Sequence, residues 1–257
     1  MLGQSIWLVM AAVEAALELV LLVRGVRGNW ALRYRIFYGY IFFVLSQSLL
    51  RSMLYRSNPH LYPYIYWLTE FLALLIGCAV TFEIYRVGLS AYPGTARMAR
   101  SLLAIVFVLA ATKALVDASN DPRWWPIATS TDLALALRTV QACSIGALVV
   151  LFLIYRVPFG RNLRGIVLGY GLFLVLSVIQ FAFISVQGAR FIAFWSSVQS
   201  FAYLLVLGIW AAHLWSYEEV PEPKATVRLE LEYQRVAAAT RQRLREARGY
   251  VGKVVGS

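Results

Sequence analysis

Seven long apolar stretches constrain this chain more than any other feature. Crossing about 30 Å of hydrocarbon takes roughly 20 helical residues, and the stretches that meet this length are residues 5–23, 36–55, 63–85, 101–117, 131–155, 166–187 and 191–216. They are apolar around most of the helix rather than along one stripe, which is typical of helices in contact with lipid. The chain is 60% hydrophobic and only 14% charged. One soluble core cannot absorb this excess, so the composition excludes a water-soluble enzyme.

The prolines separate the same stretches. All eight lie between or beside the apolar segments, and proline breaks a helix interior because it lacks a donor N–H. Pro63 stands at the start of the third segment, where the first helical turn tolerates it. The sequence therefore predicts an all-α fold: a polytopic integral membrane bundle of seven transmembrane helices over residues 1–217.

Basic residues favour one side of this bundle. Arginines in the loops are divided ten to three between the two sides, and the minority is Arg56, Arg123 and Arg190. The majority is Arg24, Arg27, Arg33, Arg35, Arg86, Arg97, Arg100, Arg156, Arg161 and Arg164. Because basic loops stay in the cytoplasm, we expect the N-terminus outside and the C-terminal tail inside. The bias to arginine, alanine and leucine favours a bacterial source and hence the bacterial cytoplasmic (inner) membrane.

Residues 218–257 form a cytoplasmic tail of different composition, with eight basic and six acidic side chains. Apolar and small residues recur at steps of three and four from Leu229 to Val251, which predicts an amphipathic helix. Three roles stay open: contact with the bundle or with anionic lipid headgroups, a short coiled coil in a homo-oligomer, or docking of a partner protein. No nucleic-acid-binding motif accompanies the arginines, so we predict no nucleic-acid partner.

Ionisable residues inside the apolar segments are candidate functional residues, because charges at membrane depth are costly. Arg51, Glu70, Lys113 and Arg138 all fall in the outer halves of their segments. Neutral polar residues converge on the same level: Ser46, Gln47, Ser48, Thr69, Thr139, Gln141, Gln180, Ser196, Ser197, Gln199 and Ser200. We therefore expect a cavity that opens outward and binds a small polar or anionic ligand. The alternative is a set of internal ion pairs without a ligand.

Glu14 and Glu18 form a second acidic group. Four residues apart, they share one face of the first helix, among alanines that permit close helix approach. Together with Glu70 they would balance the three buried basic residues, Arg51, Lys113 and Arg138. A proton-binding carboxyl pair is a further hypothesis.

Other catalytic and cofactor chemistry finds no support in the sequence. Cys78 and Cys143 lie inside apolar segments, so we expect buried thiols and no disulfide. His60 and His213 lie at opposite ends of the predicted bundle, which excludes the zinc hydrolases of the ceramidase type, and residues 191–216 lack the lysine that rhodopsins need for retinal. We predict no catalytic residue, no metal and no cofactor.

An internal similarity joins two parts of the chain. Residues 22–46 resemble residues 154–177, with one residue of gap, so that Ser46 aligns with Ser177. Two parallel three-helix repeats joined by the fourth helix would look like the three-plus-one-plus-three plan of small sugar transporters, although their proline–glutamine motifs are missing. Alternatively, two hairpins of aliphatic helices resemble each other without being repeats.

These patterns favour a receptor-like or sensory membrane protein that signals through a separate partner. The alternatives are a small solute transporter and a non-catalytic subunit of a membrane complex. A transporter needs a route on both sides of the membrane, whereas the receptor hypothesis predicts a closed, apolar inner half.

Overall fold

The computed structural model describes residues 2–90, 92–120, 126–155, 160–187 and 189–216, and in the tail only 234–236, 238–240 and 242. The described part of the chain is all-helical, as predicted. Its elements are α1 (Leu2–Arg27), α2 (Arg35–Ser57), α3 (Tyr62–Gly88), α4 (Pro93–Asn120), α5 (Pro126–Tyr155), α6 (Arg161–Gln187), α7 (Ala189–His213) and a short 3-10 turn (Trp30–Leu32).

Four of these helices contain a stretch long and apolar enough to cross a membrane. The stretches are Tyr62–Gly88, Gly94–Lys113, Leu133–Ile154 and Arg161–Gln180. Large apolar side chains are also exposed on the outside of the bundle, among them Met53, Leu102, Leu153 and Phe201. Exposed apolar surface on this scale requires lipid or a partner to cover it, so these features indicate a membrane protein.

Prolines mark helix starts, but the helices extend beyond the apolar segments. Proline stands in the first two residues of α3, α4 and α5, where its missing N–H has no intrahelical partner to lose. The fourth helix runs from Pro93 to Asn120, whereas the sequence predicted residues 101–117. Hydropathy marks the thickness of the hydrocarbon, while backbone hydrogen bonding continues past it, so the predicted bounds were too short.

Five helices form a closed ring. In the order α1, α2, α3, α6, α7 each packs against the next, and α7 packs against α1. α5 packs on α3 and α6, and α4 packs on α3 and α5. We call the end of the bundle where α2 joins α3 the Asn58 end, and the opposite end, where α1 joins α2, the Tyr34 end.

One face of α3 is buried in the centre of the bundle. Its residues recur at helical spacing: Thr69, Ala73, Gly77, Val80 and Ile84. At Gly77 a side chain of α6 reaches the backbone of α3, because the Tyr170 hydroxyl lies 2.8 Å from the Gly77 carbonyl oxygen and 3.1 Å from Gln141 Oε1. A Cβ at position 77 would lie 2.7 Å from the Tyr170 hydroxyl oxygen, so alanine at this position would displace the hydroxyl from its hydrogen bonds.

A buried carboxylate joins α3 to the start of α2 at the Tyr34 end. Glu83 accepts hydrogen bonds from the backbone N–H groups of Ile36 (3.1 Å) and Phe37 (2.8 Å), and from Arg86 (3.1 Å). These N–H groups belong to the first turn of α2, which has no intrahelical partners for them. A negative charge is favourable at this position because it faces the positive end of the helix dipole.

Also at the Tyr34 end, side chains from the end of α1 and the start of α6 hold the end of α7. Arg24 of α1 donates to the Trp215 carbonyl at 3.2 Å, and its guanidinium stacks 3.8 Å from the Trp215 ring. Arg161 of α6 donates to the Ala212 carbonyl at 3.1 Å, and Asn162 donates to carbonyls of the same segment. These contacts satisfy carbonyls that the helix end leaves open.

One of the two cysteines differs from the sequence-based expectation. Both are free thiols, and Cys78 is partly buried, where Gln141 Nε2 donates to its sulfur at 3.0 Å. Cys143 is exposed on the outside of α5, so the prediction of burial was wrong for this residue. An apolar segment does not specify which of its residues face the neighbouring helices.

The tail is described at only seven positions. Residues 234–236, 238–240 and 242 are helical, and Thr240 donates to the Val236 carbonyl at 2.9 Å. The rest of the predicted amphipathic helix lies outside the described residues.

Candidate functional site: a carboxylate shared by two arginines

Glu70 on α3 links three helices through its carboxylate. Arg138 Nη2 of α5 donates to one oxygen at 2.6 Å, and Arg51 Nη2 of α2 donates to the other at 3.3 Å. The three side chains are largely withdrawn from the surface, with exposed fractions of 9% for Arg138, 17% for Arg51 and 19% for Glu70. We call these three residues the charge cluster. It carries two positive charges and one negative charge.

α3 supplies further partners to Arg51. Thr69 Oγ1 accepts from Arg51 Nε at 2.9 Å and from Nη2 at 2.7 Å, and the Tyr66 carbonyl accepts at 3.0 Å. The guanidinium also lies 4.3 Å from the centre of the Tyr66 ring. Residues 66, 69 and 70 share one helix face because they are three and four positions apart. One side of α3 therefore fixes the position of Arg51.

Arg138 joins the charge cluster to α6. Its Nη1 donates to Ser177 Oγ at 2.6 Å, and its guanidinium lies 5.3 Å from the centre of the Phe173 ring. Ser177 in turn donates to the Phe173 carbonyl one turn earlier, at 2.8 Å. The Arg138 guanidinium is thus in contact with both α3 and α6.

A small cavity lies beside Ser177, between α6 and α7. Its volume is about 40 Å³, and its polar lining comes from Ser177, Gln180, Trp195, Gln199 and Tyr203. Pockets for drug-sized ligands are roughly 300–1,000 Å³, whereas a water molecule takes about 30 Å³. In this conformation the cavity therefore has room for water or a single small ion.

The Glu14–Glu18 pair of α1 is connected to this cavity through Tyr203, which lines it. The Tyr203 hydroxyl donates to Glu18 Oε1 at 2.5 Å, and Glu18 is almost completely buried. One turn earlier, Glu14 Oε1 is buried and accepts no hydrogen bond from the described residues. Neither carboxylate forms an ion pair within the described part of the chain. Tyr203 therefore connects the cavity to an acidic pair that no described cation neutralises.

The structure brings some of the predicted site residues together and leaves others apart. Gln47 is a long 3.5 Å contact of Arg51, and Gln199 lines the cavity. Lys113 is exposed on α4, and no ion pair joins it to Glu70 in the described residues. Among the six charged residues of the predicted balance, the described ion pairs join Glu70 to Arg51 and Arg138.

Two contributors were not singled out as site residues from the sequence. Ser177 appeared only in the internal similarity with residues 22–46, and Tyr203 lies one helical turn after Gln199 and Ser200, a spacing that was not used. The position of Ser177 four residues after Phe173 offered a hint, because this spacing places both on the face that meets Arg138. Nothing in the sequence pairs Tyr203 with Glu18, which lies 185 residues earlier.

Aromatic side chains close the interior between the charge cluster and the Tyr34 end. The Phe173 ring contacts the rings of Tyr40, Tyr170 and Tyr203 at centroid distances of 6.5, 6.2 and 6.4 Å. Nearer the Tyr34 end, Phe37 packs edge-on against Trp210 at 5.0 Å. Other completely buried residues on this level are Ile41, Ile166, Val206 and Leu207.

The charge cluster contains two guanidinium groups. Guanidinium groups form planar, paired hydrogen bonds with carboxylates and phosphates, and the cluster holds two of them, one on α2 and one on α5. The described residues contain no group of three histidine, cysteine, aspartate or glutamate side chains suited to hold a metal. Comparison of the chain with known protein families, with curated proteins and with solved structures gave no match.

Proposed function

We propose that the protein is a receptor-like or sensory membrane protein that binds a small anionic solute at the charge cluster. The observation that carries this proposal is the sharing of one carboxylate by two guanidiniums, which gives these three residues together a net charge of +1. Internal ion pairing alone would be complete with one arginine for each carboxylate. A ligand anion can therefore compete with Glu70 for either guanidinium.

The cluster also supplies a way to convert binding into helix movement. Glu70 holds α3 to α2 through Arg51 and to α5 through Arg138. A ligand anion that replaces Glu70 on one guanidinium loosens one of these joints and favours a conformation in which the helices are separated. A ligand shifts the population only as far as it binds that conformation more tightly. The tail then reports the change to a separate partner.

The closed interior supports a receptor over a transporter. Between the charge cluster and the Tyr34 end, Phe173 packs against Tyr203, and Phe37 packs against Trp210. A transporter needs a polar route through this level in at least one conformation. Uptake of the bound anion into proteoliposomes, lost in Glu70→Gln, would overturn the receptor proposal in favour of a transporter.

All seven helices are proposed to span the membrane, with the N-terminus outside and the Tyr34 end in the cytoplasm. α1, α2 and α7 have 26, 23 and 25 residues, so each is about 35–39 Å long at 1.5 Å per residue. The arginines of the Tyr34 end favour the cytoplasm, here that of a bacterium. Asn58→Cys should react with an impermeant maleimide from outside, and Arg33→Cys only after permeabilisation. The reverse labelling would overturn this orientation.

Ligand binding is tested on the purified full chain with chloride, phosphate, acetate and glutamate. Saturation at 100 times the dissociation constant stabilises a protein by about 2.7 kcal/mol, which a thermal shift detects. At least one anion should stabilise the wild type and Arg27→Gln, which removes an exposed charge at the end of α1. Arg51→Gln and Arg138→Gln should lose the effect. Equal shifts in all four proteins, or no shift with any anion, would refute binding at the cluster.

A stoichiometric partner that co-purifies through residues 224–251 is expected for a sensor that signals through another chain. If that partner remains bound at a constant ratio whether or not the anion is present, the third alternative is favoured, a non-catalytic subunit of a membrane complex.

A further inference from the structure

We propose that a groove between the end of α5 and the start of α6 binds one anionic phospholipid, with its phosphate on Arg164 and an acyl chain along the apolar wall. The groove lies toward the Tyr34 end, opposite the charge cluster, and its ligand is of a different class. The inference is therefore independent of the proposed anion sensing.

The groove is large enough for part of a lipid molecule. Its volume is about 360 Å³, and its lining residues are Val149, Leu153, Arg164, Val167 and Leu168. This volume lies in the range of ligand sites, roughly 300–1,000 Å³. The groove opens to the outside of the bundle, since Leu153 is 71% exposed and Leu168 is 46% exposed.

The lining residues are arranged in the order of a phospholipid. Val149 and Leu153 are four positions apart on α5, and Arg164, Val167 and Leu168 share one face of α6. Because α6 begins at Arg161, Arg164 lies about one turn nearer the Tyr34 end than Leu168. The single charge thus lies at the level of a headgroup, and the four apolar side chains continue toward the middle of the bundle.

Arg164 is available to a ligand, unlike its neighbour. Arg161 donates to the Ala212 carbonyl and to Ser216 Oγ. Arg164 is exposed, and no side chain of the described residues forms a hydrogen bond or ion pair with it. It also lies in the first turn of α6, where the helix dipole adds a partial positive charge that favours phosphate.

Charge favours an anionic lipid over the other candidate occupant, the tail of this chain. Residues 218–257 carry eight basic and six acidic side chains, so the tail is net positive and is repelled by Arg164. Basic pockets between transmembrane helices on the cytoplasmic side are known to bind anionic headgroups, and each basic residue near the surface adds roughly a fivefold preference for anionic lipid.

The test is lipid retention by the purified full chain, measured by native mass spectrometry. Phosphatidylglycerol and phosphatidylcholine with identical acyl chains are offered in separate experiments. We expect one retained phosphatidylglycerol per chain, with about a fivefold preference over phosphatidylcholine. Arg164→Gln should abolish the preference, and Leu168→Trp, which fills the groove from its exposed side, should lower retention of both lipids.

Arg97→Gln is the matched control. Arg97 is an exposed arginine near the start of α4, at the same end of the bundle, and its loss removes the same charge without touching the groove. The proposal is wrong if the two lipids are retained equally by the wild type, or if Arg97→Gln lowers the preference as much as Arg164→Gln.

Two further outcomes would also overturn it. Complete displacement of the lipid by glycerol phosphate would mean that a headgroup ion alone is bound, without the acyl chain. A photo-crosslinker at position 168 that reacts with residues 224–251 would mean that the tail covers the groove.

Discussion

Replacing Glu70 by glutamine removes the one negative charge that Arg51 and Arg138 share, and it keeps the size of the side chain. Breaking a fully buried ion pair by removing one partner costs about 3–5 kcal/mol. Glu70 is 19% exposed and Arg138 9% exposed, so water screens part of this penalty and the lower end applies, about 3 kcal/mol. In a chain of this size each kcal/mol shifts Tm by about 2–4 °C. Glu70→Gln should therefore lower Tm by about 6–12 °C.

The assay is thermal unfolding in one detergent, followed by tryptophan fluorescence, with Arg27→Gln as the control for loss of a charge elsewhere. A double-mutant cycle isolates the pair, because removing Arg138 leaves Glu70 with only one cation. Glu70→Gln and Arg138→Gln together should lower Tm by clearly less than the sum of their separate effects. If the two losses add, or if Glu70→Gln stays within about 2 °C of the wild type, Glu70 does not hold the helices together as described.

Three further changes test other contacts by direct measurement. Gly77→Ala should lower Tm, since its Cβ would lie 2.7 Å from the Tyr170 hydroxyl oxygen, and the loss should be smaller in a Tyr170→Phe background. Glu83→Gln should cost about 1 kcal/mol and speed hydrogen exchange in the first turn of α2, but not in the first turn of α3. Arg24→Gln should speed cleavage by chymotrypsin after Trp215, because it removes the hydrogen bond and the ring contact that hold this segment. The Arg24 proposal fails if cleavage is as slow as in the charge control.

The helical fold was predictable because two separate signals agree. Apolar segments report where lipid surrounds the chain, and prolines such as Pro63 report where a helix starts. The helix ends were not predictable to the residue, as the extension of α4 from Pro93 to Asn120 illustrates. Past the edge of the hydrocarbon, side-chain polarity no longer decides whether backbone hydrogen bonds continue.

The position of the candidate site along the helices was predictable, but the contacts between its side chains were not. Arg51, Glu70 and Arg138 all lie in the halves of their helices nearer the Asn58 end, because neighbouring helices alternate in direction. Lys113 satisfies the same criterion but is exposed on α4. Helices that are apolar all round carry no signal for their rotation about the long axis, so the sequence does not specify which charges face each other. The Tyr203–Glu18 bond could not be predicted for the same reason.

The pairing of the first helix with the last also determines the order in which this fold can be completed. Glu18 precedes its partner Tyr203 by 185 residues, and synthesis adds about 5–20 residues per second. The ribosome therefore makes Tyr203 roughly 10–40 s after Glu18. During this interval the two carboxyl groups of α1 have no contact with α7. Glu18 therefore lacks its hydrogen-bond partner until then, and the ring of helices closes only when synthesis of α7 is complete.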